Sequence, residues 1–322
     1  MSALPEGRLG ATGLPVTRLG LGLAALGRPA YINLGHAQDL GADRSVEAVG
    51  RHAHAVLDAA LAAGVRYVDA ARSYGLAERF LGEWLRARPR DTSAVTVGSK
   101  WGYRYTADWR LDAEEHEVKD LSADHLRHQL EQTRTELGER LQLYQIHSAT
   151  LDSGVLEDDD VLAELAALKR DGVAVGLSVT GPEQAATIHR ALETGAFDTV
   201  QATWNLHERS AGPALAAAHE AGMGVIVKEA VANGRLTDRG APAALREAAA
   251  ARGTTADALA LACVLAQPWV DVVLSGAATV PMLDSNLAAA AVVVDADLEA
   301  ALRGLEEPPD AYWAARSRLR WT

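Results

Sequence analysis

The chain has 322 residues, with 43 acidic and 31 basic side chains and a formal net charge of −12 at pH 7. This length allows two domains or one large α/β barrel, and such a chain buries roughly three quarters of its unfolded surface. The acidic balance argues against nucleic acid and anionic membranes as partners. A single cysteine, Cys263, excludes a disulfide within the chain.

The first residues of the sequence predict no secretory signal peptide. The first residues, MSALPEGRLG, lack the apolar segment of a secretory signal, and no uninterrupted apolar run is long enough to span a membrane. We therefore expect a cytoplasmic protein. The densest basic cluster, formed by Arg316, Arg318 and Arg320, is interpreted as a solvated C-terminal tail.

Short β-branched runs alternate along the chain with longer amphipathic patterns. The stretch RLGATGLPVTRLGLG predicts a short N-terminal hairpin that leads into a first strand ending near Gly22. Seven further strands are predicted to end at Asp69, Lys100, His147, Ser178, Trp204, Lys228 and Ser275. Helical patterns lie between them, and the glycines in AAGV, RDGV and EAGMGV mark helix ends.

Eight strand-then-helix units predict a parallel sheet closed into a (β/α)8 TIM barrel, with residues 1–322 forming one domain. The alternative is an open, doubly wound sheet. However, LGLGLAALG near Gly20 lacks both the GxGxxG spacing and the acidic partner of a dinucleotide-binding unit. A long polar loop from Gly27 to Ser45 either covers a site or is an insertion with no role.

Four residues that handle protons fall where catalytic groups of such a barrel lie, at the carboxyl ends of strands. Asp69, Lys100 and His147 end three consecutive predicted strands, and Tyr74 follows the first of them. A phenol has a pKa of about 10, which a neighbouring lysine ammonium lowers. A carboxylate would keep that lysine charged, and a histidine could hold a carbonyl oxygen. The set predicts a proton donor for an oxygen that gains charge when hydride adds to its carbon.

Each of these residues alone has a structural interpretation. Asp69 could be a helix N-cap, and a single strand-end lysine or histidine is more often structural than catalytic. Their coincidence at neighbouring strand ends favours catalysis. Trp101 directly follows Lys100 and is expected on the same rim, where it either contacts substrate or packs.

At these residues the sequence resembles the aldo-keto reductases, and the resemblance covers nearly the whole chain. It rests on RLGLG, VDAARSYGLAERFLGEWL, GSK, YQIHS and SGAATVPMLDSNLAA. It implies a TIM barrel that reduces small aldehydes and ketones with NADPH, less often NADH, without a metal, and a monomer by default. Tyr74 is then the general acid, and Lys100 lowers its pKa. Asp69 pairs with Lys100, and His147 orients the carbonyl.

The resemblance also implies a cofactor site, with Gln201 expected to hold the nicotinamide carboxamide. The implied cofactor residues are Gly22, Ser178, Gln201, Lys228, Gly276, Thr279 and Asn286. Val179 replaces an asparagine of the family's pattern, and Lys228 replaces the aromatic residue that stacks on the nicotinamide. Ala278 and Met282 stand where basic residues often hold the 2′-phosphate of NADPH, so NADH stays an alternative.

Two other functions are compatible with the sequence. A Schiff-base aldolase on the same barrel would use Lys100 or Lys228 as its nucleophile, but a neighbouring Asp69 would keep Lys100 protonated. A non-catalytic, reductase-like module that binds cofactor or serves as an accessory subunit would explain the departures at the cofactor site. Such a module has no need of a tuned phenol.

Overall fold

The computed structural model describes residues 4–322. The strands among them are β1 Glu6–Arg8, β2 Pro15–Thr17, β3 Leu19–Gly22, β4 Tyr67–Asp69, β5 Thr96–Trp101, β6 Tyr103–Tyr105, β7 Glu117–Lys119, β8 Leu143–Ala149, β9 Ala174–Val179, β10 Thr199–Thr203, β11 Gly224–Lys228 and β12 Val272–Ser275. The α-helices are α1 His36–Leu40, α2 Val46–Ala62, α3 Ala77–Ala87, α4 Ala123–Leu137, α5 Asp159–Arg170, α6 Gln184–Thr194, α7 Gly212–Glu220, α8 Ala243–Ala251, α9 Ala256–Leu265, α10 Val280–Leu287, α11 Ala296–Leu302 and α12 Pro309–Ser317.

Eight of the strands close into a parallel barrel in the order β10-β11-β12-β3-β4-β5-β8-β9. The prediction of a (β/α)8 TIM barrel is therefore confirmed. The register brings Gly22 opposite Asp69, and Thr203 opposite Lys228. Residues at the carboxyl ends of these strands consequently lie at one level, around a common barrel mouth.

The predicted N-terminal hairpin is formed by the antiparallel strands β1 and β2. Leu9 and Val16 from this region pack with Tyr67, Leu143 and Ile226 of the barrel interior. A Cβ at Gly224, the first residue of β11, would lie 2.6 Å from Leu9, so only glycine allows this close packing. The hairpin thus closes the amino-terminal end of the barrel and leaves the opposite end for a site.

The helices cover the outside of the barrel, and their ends follow local sequence signals. Ser45 and Ser122 cap α2 and α4 by accepting hydrogen bonds from backbone N–H groups of the first turn. Gly64 and Gly172, which follow α2 and α5, have φ values of 92° and 85°. The left-handed conformation at these positions is the predicted stop signal.

Two long loops contain secondary structure of their own. The stretch Gly27 to Ser45 contains α1, and the stretch Trp101 to Lys119 contains the antiparallel hairpin β6–β7. Both loops follow strands of the barrel on the side of their carboxyl ends, so they can reach the barrel mouth.

Among residues 4–322, no single helix is long and apolar enough to cross a membrane. The consecutive helices α8 and α9 pass that test together by length and composition only, but they are bent by 86° at their junction. All but the last residue of α9 is buried within the protein.

Candidate active site

A cavity of about 530 Å³ lies at the carboxyl ends of the barrel strands. It is lined by eight of the residues that the sequence predicted for the site, namely Gly22, Asp69, Tyr74, His147, Gln201, Lys228, Gly276 and Asn286. Its size is typical of a small-molecule site. Residues far apart in the sequence therefore meet around one cavity.

Lys100 joins two of the predicted catalytic groups beneath this cavity. Its Nζ donates hydrogen bonds to Asp69 Oδ1 and to the Ala70 carbonyl, the latter at 2.9 Å. It also lies 3.5 Å from the Tyr74 hydroxyl oxygen, at the limit of a hydrogen bond. Lys100 and Asp69 are each only 1% exposed, so the ion pair is buried. The pairing of Asp69 with Lys100 that the sequence predicted is present.

The second carboxylate oxygen of Asp69 is held by the predicted Gln201 and by two residues that the sequence analysis missed. Asp69 Oδ2 accepts hydrogen bonds from Tyr67 Oη at 3.0 Å, Gln145 Nε2 at 3.3 Å and Gln201 Nε2 at 3.0 Å. Tyr67 and Gln145 point into the barrel interior and read in the sequence as ordinary strand residues. A buried carboxylate needs this many donors because it has lost its water.

Tyr74 keeps its proton more firmly than the sequence predicted. Burial raises the pKa of its phenol, and the negative charge of Asp69 raises that pKa further. The net direction of the pKa shift is therefore set by burial and Asp69, and the lowering of this pKa by Lys100 stays a prediction. Because Asp69 is in direct contact with Lys100, it offsets most of the ammonium's field at the phenol.

His147 is uncharged in this setting. Burial lowers the pKa of its imidazole well below the usual value, and the cations Lys100 and Lys228 lower it further. Its ring stands edge-on to the rings of Tyr74 and Tyr103, with centroids 5.4 Å and 5.0 Å away. His147 Nδ1 lies 3.4 Å from the Ser73 hydroxyl. A neutral imidazole can donate one hydrogen bond but is not an acid at neutral pH.

The two long loops and the C-terminal tail form the outer wall of the cavity. Arg28 and Tyr31 come from the first loop, Glu117 from the second, and Trp321 from the tail. Arg28 pairs with Glu117 at 3.1 Å, and its guanidinium carbon lies 4.5 Å from the Trp321 ring centroid. Of the two interpretations of the Gly27 to Ser45 loop, the structure supports the one in which it covers a site.

A second ion pair borders the cavity beside β11. Arg316 Nε donates to Glu229 Oε1 at 2.9 Å, and Thr203 Oγ1 donates to Glu229 Oε2 at 3.2 Å. Arg316 holds the pKa of Glu229 at about 2 despite burial. The interpretation of Arg316 as part of a solvated tail is therefore wrong. Glu229 has a φ of 55°, a backbone conformation that non-glycine residues rarely adopt.

The far end of the cavity lies between β12 and α10. Gly276 has open space where a Cβ would stand, and Asn286 faces the same space. Asn286 Nδ2 donates to Asp257 Oδ2 at 2.7 Å, while Asn286 Oδ1 accepts from the Ser275 hydroxyl at 2.8 Å. Asp257, which the sequence analysis did not select, also lines the cavity. Nothing in its apolar sequence neighbourhood marked it out.

Besides Lys100, which lies beneath the cavity, three predicted residues lie outside the cavity lining. Ser178 accepts a hydrogen bond from the Ser148 N–H at 2.8 Å, and Thr279 caps α10 by accepting from the Met282 N–H at 3.3 Å. Trp101 is fully buried in the hydrophobic core. Since side chains alternate along a strand, Lys100 points into the barrel and Trp101 points away from it. Of the two roles considered for Trp101, the structure places it in the packing role, and the substrate contact is wrong.

Within residues 4–322, no group of three or more histidine, cysteine or acidic side chains has the arrangement of a metal site. The one cysteine, Cys263, is buried and its pKa is raised to about 11 by burial.

Comparison with known proteins shows the family. The model of the aldo/keto reductase family matches residues 18–307. The chain belongs to the aldo/keto reductase family. It is therefore a member of a family of oxidoreductases that in general use nicotinamide cofactors.

Individual relatives agree with this assignment. A putative aldo-keto reductase structure from Pseudomonas aeruginosa is 30% identical, covers 89% of this chain and 94% of its own, and superimposes with a TM-score of 0.65. The holo form of aldo-keto reductase AKR11C1 from Bacillus halodurans has a TM-score of 0.72 at 22% identity, covers 95% of this chain and 97% of its own, and shows the same fold. The uncharacterized oxidoreductase YqkF of Bacillus subtilis is 23% identical over 88% of this chain and 90% of its own.

Proposed function

We propose that this protein reduces an aldehyde or ketone to an alcohol, or runs the reverse reaction, with a nicotinamide cofactor and with Tyr74 as general acid. The observation that carries the proposal is the buried chain Asp69–Lys100–Tyr74, which ends at the cavity beside a neutral His147. A protonated phenol and a neutral imidazole at one point of a cavity suit an oxygen that gains negative charge.

Each residue of the site has its own role in the proposed carbonyl reduction. A bound nicotinamide supplies the hydride for the carbonyl carbon. We assign the Ser73 hydroxyl as the donor to His147 Nδ1, 3.4 Å away. His147 then carries its proton on Nε2 and donates it in a hydrogen bond to the carbonyl oxygen. Tyr74 gives its proton to that oxygen as charge develops, which completes the alcohol. Lys100 then faces the phenolate, and Asp69 keeps Lys100 in place.

The donor groups around the cavity fit a nicotinamide dinucleotide. Gln201 offers an amide at the barrel mouth, and Gly276 leaves open space beside the first turn of α10. The positive end of the α10 dipole suits a phosphate, although Pro281 has no N–H and the Met282 N–H is donated to Thr279. Asn286 offers polar atoms to the remainder of the molecule. We propose that these residues, with Gly22 and Lys228, hold the cofactor.

The chemistry near Asn286 favours NADH over NADPH. Asp257, Met282 and Ser285 line this part of the cavity, and none of them carries a positive charge that would pair with a 2′-phosphate. Ala278, at the position where the family often has a basic residue, is fully buried. The Asp257 carboxylate would repel the dianion but can accept a hydrogen bond from a free ribose hydroxyl.

We expect NADH to bind at least about tenfold more tightly than NADPH, because a like charge close to a ligand anion costs several kcal/mol. Tryptophan fluorescence titrations with each nucleotide measure both dissociation constants. Asp257→Asn should bring the two dissociation constants closer together, because it removes the carboxylate that repels the 2′-phosphate of NADPH. Asp284→Asn, an exposed acidic residue of α10, is the matched control and should change nothing. Equal or tighter binding of NADPH by the unmodified protein would contradict the assignment.

The same titration tests the non-catalytic alternative. A protein that binds NADH or NADPH but turns over no aldehyde or ketone would be a cofactor-binding module. If neither nucleotide binds, the proposed function is wrong.

One observation favours the Schiff-base alternative, although at Lys228 and not at Lys100. Burial lowers the pKa of Lys228 to about 8, so a fraction of its amine is neutral and nucleophilic near neutral pH. We nevertheless expect no covalent adduct after borohydride treatment with a panel of aldehydes and ketones, as measured by intact-protein mass spectrometry. An adduct that Lys228→Met abolishes would support the aldolase.

A further inference from the structure

Lys228 differs from the other cations around the cavity. Arg28 pairs with Glu117 at 3.1 Å, Arg239 with Asp39 at 2.8 Å, and Lys100 with Asp69. Among residues 4–322, Lys228 has no carboxylate in salt-bridge contact. Its Nζ donates instead to the neutral Thr203 hydroxyl at 2.8 Å. The Trp313 ring also lies nearby, with its centroid 5.8 Å from Nζ.

The nearest carboxylate is already neutralised by another residue. Glu229 accepts hydrogen bonds from Arg316, with Nε at 2.9 Å and 3.0 Å from its two oxygens. Lys228, Glu229 and Arg316 together therefore carry one positive charge in excess. The Asp69–Lys100 pair adds no net charge, and His147 is neutral. Among these groups the uncompensated charge is consequently the positive charge of Lys228, while the carboxylates of Asp238 and Asp257 line the cavity elsewhere.

Lys228 also lies directly across the barrel from Lys100. In the closed sheet, β11 and β5 are separated by three strands in either direction. Lys228 is the last residue of β11 and lines the cavity, whereas Tyr74 and His147 line it on the side of Lys100. A nicotinamide ring that delivers hydride to a carbonyl held by Tyr74 and His147 must lie over the barrel mouth. Lys228 then borders that ring on the side opposite Lys100.

We propose that Lys228 makes the protein bind the reduced nicotinamide more tightly than the oxidised one. The oxidised ring carries a positive charge, whereas the reduced ring is neutral, and the rest of the dinucleotide is the same in both. A cation beside the ring therefore penalises only the oxidised form. Attraction of Lys228 to the pyrophosphate acts on both forms and cancels in the ratio of affinities. The inference rests on the proposed function, since it requires a nicotinamide at the barrel mouth.

The experiment compares the dissociation constants of NADH and NAD⁺, or of the phosphorylated pair if it binds better, by fluorescence titration and calorimetry. The unmodified protein should bind the reduced form more tightly. Lys228→Met should reduce the ratio by about tenfold, as expected for two unit charges roughly 10 Å apart at an effective dielectric constant of about 20. Lys228→Arg keeps the charge and should retain the ratio. Lys169→Met removes an exposed lysine of α5 and is the matched control.

The unmodified protein gives a second, independent test through pH. The charged groups that face Lys228 are Glu229, Arg316 and Lys100, and the titratable His147 across the cavity is neutral. The pKa of Lys228 is lowered to about 8 mainly by burial. Since the charge is lost as pH rises through that value, the preference for the reduced form should fall between about pH 6.5 and about pH 9.5. Lys228→Met should show no such fall.

The outcomes separate this inference from the function on which it rests. If both nucleotides bind with the same ratio in the unmodified protein and in Lys228→Met, the role of Lys228 is wrong and the proposed function stands. If neither nucleotide binds to the unmodified protein, both are overturned.

Discussion

Replacement of Tyr74 by phenylalanine is expected to lower kcat for carbonyl reduction by about 10²- to 10⁴-fold, the usual contribution of a general acid. The affinity for the cofactor should be nearly unchanged, because the ring that packs beside His147 is retained. Steady-state kinetics with an aldehyde substrate and a fluorescence titration measure the two quantities. Loss of rate without loss of binding would separate the chemical step from the assembly of the site.

Tyr103 provides the matched control for this experiment. Its phenol lines the same cavity, and its ring contacts His147 with a centroid distance of 5.0 Å. It has no contact with Lys100, so Tyr103→Phe should retain most of the rate. If Tyr74→Phe turned over normally while Tyr103→Phe did not, the acid would be the wrong tyrosine of the pair.

The pH dependence of this reaction follows from the pKa of Tyr74. Burial and Asp69 raise that pKa above its ordinary value, so the phenol stays protonated throughout the neutral range. The reactive form is the protonated one, and its loss therefore begins only above the usual titration range of a tyrosine, at about pH 10. Deprotonation of Tyr74 should therefore cause no decline in the rate of reduction between neutral pH and about pH 10.

The sequence was sufficient to predict the barrel and the four catalytic candidates, for a definite physical reason. Asp69, Lys100 and His147 each lie within two residues of the end of a strand, and parallel strands in a closed sheet bring their carboxyl ends together. The period of the strands and their order in the chain therefore predict which side chains meet at the barrel mouth. The error at Trp101 has the same origin, since a one-residue step along a strand reverses the direction of a side chain.

The outer wall of the site could not be predicted in this way. Arg28 meets Glu117, and Glu229 meets Arg316, across sequence separations of 89 and 87 residues. These pairs join loops and a C-terminal helix, whose paths follow no periodic pattern. The direction in which the pKa of Tyr74 is shifted could not be predicted either, because it depends on burial and on how closely Asp69 neutralises Lys100. Residue types alone give neither quantity.

Replacement of Lys100 by methionine is expected to affect both stability and rate. It leaves the Asp69 carboxylate buried without its ion-pair partner, and breaking such a pair costs about 3–5 kcal/mol of unfolding free energy. It also removes the ammonium that faces the phenolate, so kcat should fall by a large factor while Tyr74 remains in place. Denaturant unfolding and steady-state kinetics of the folded fraction measure the two effects separately.

A double variant distinguishes a catalytic role for Lys100 from a purely structural one. Asp69→Asn combined with Lys100→Met removes both charges, and it should recover much of the lost stability because no unpaired carboxylate remains. The amide that replaces the Asp69 carboxylate can still accept a hydrogen bond from Tyr67 or Gln201. Turnover should nevertheless stay low, since nothing positive then faces the phenolate of Tyr74. Recovery of turnover along with stability would mean that Lys100 acts only to neutralise Asp69. The proposed catalytic role of Lys100 beside Tyr74 would then be wrong.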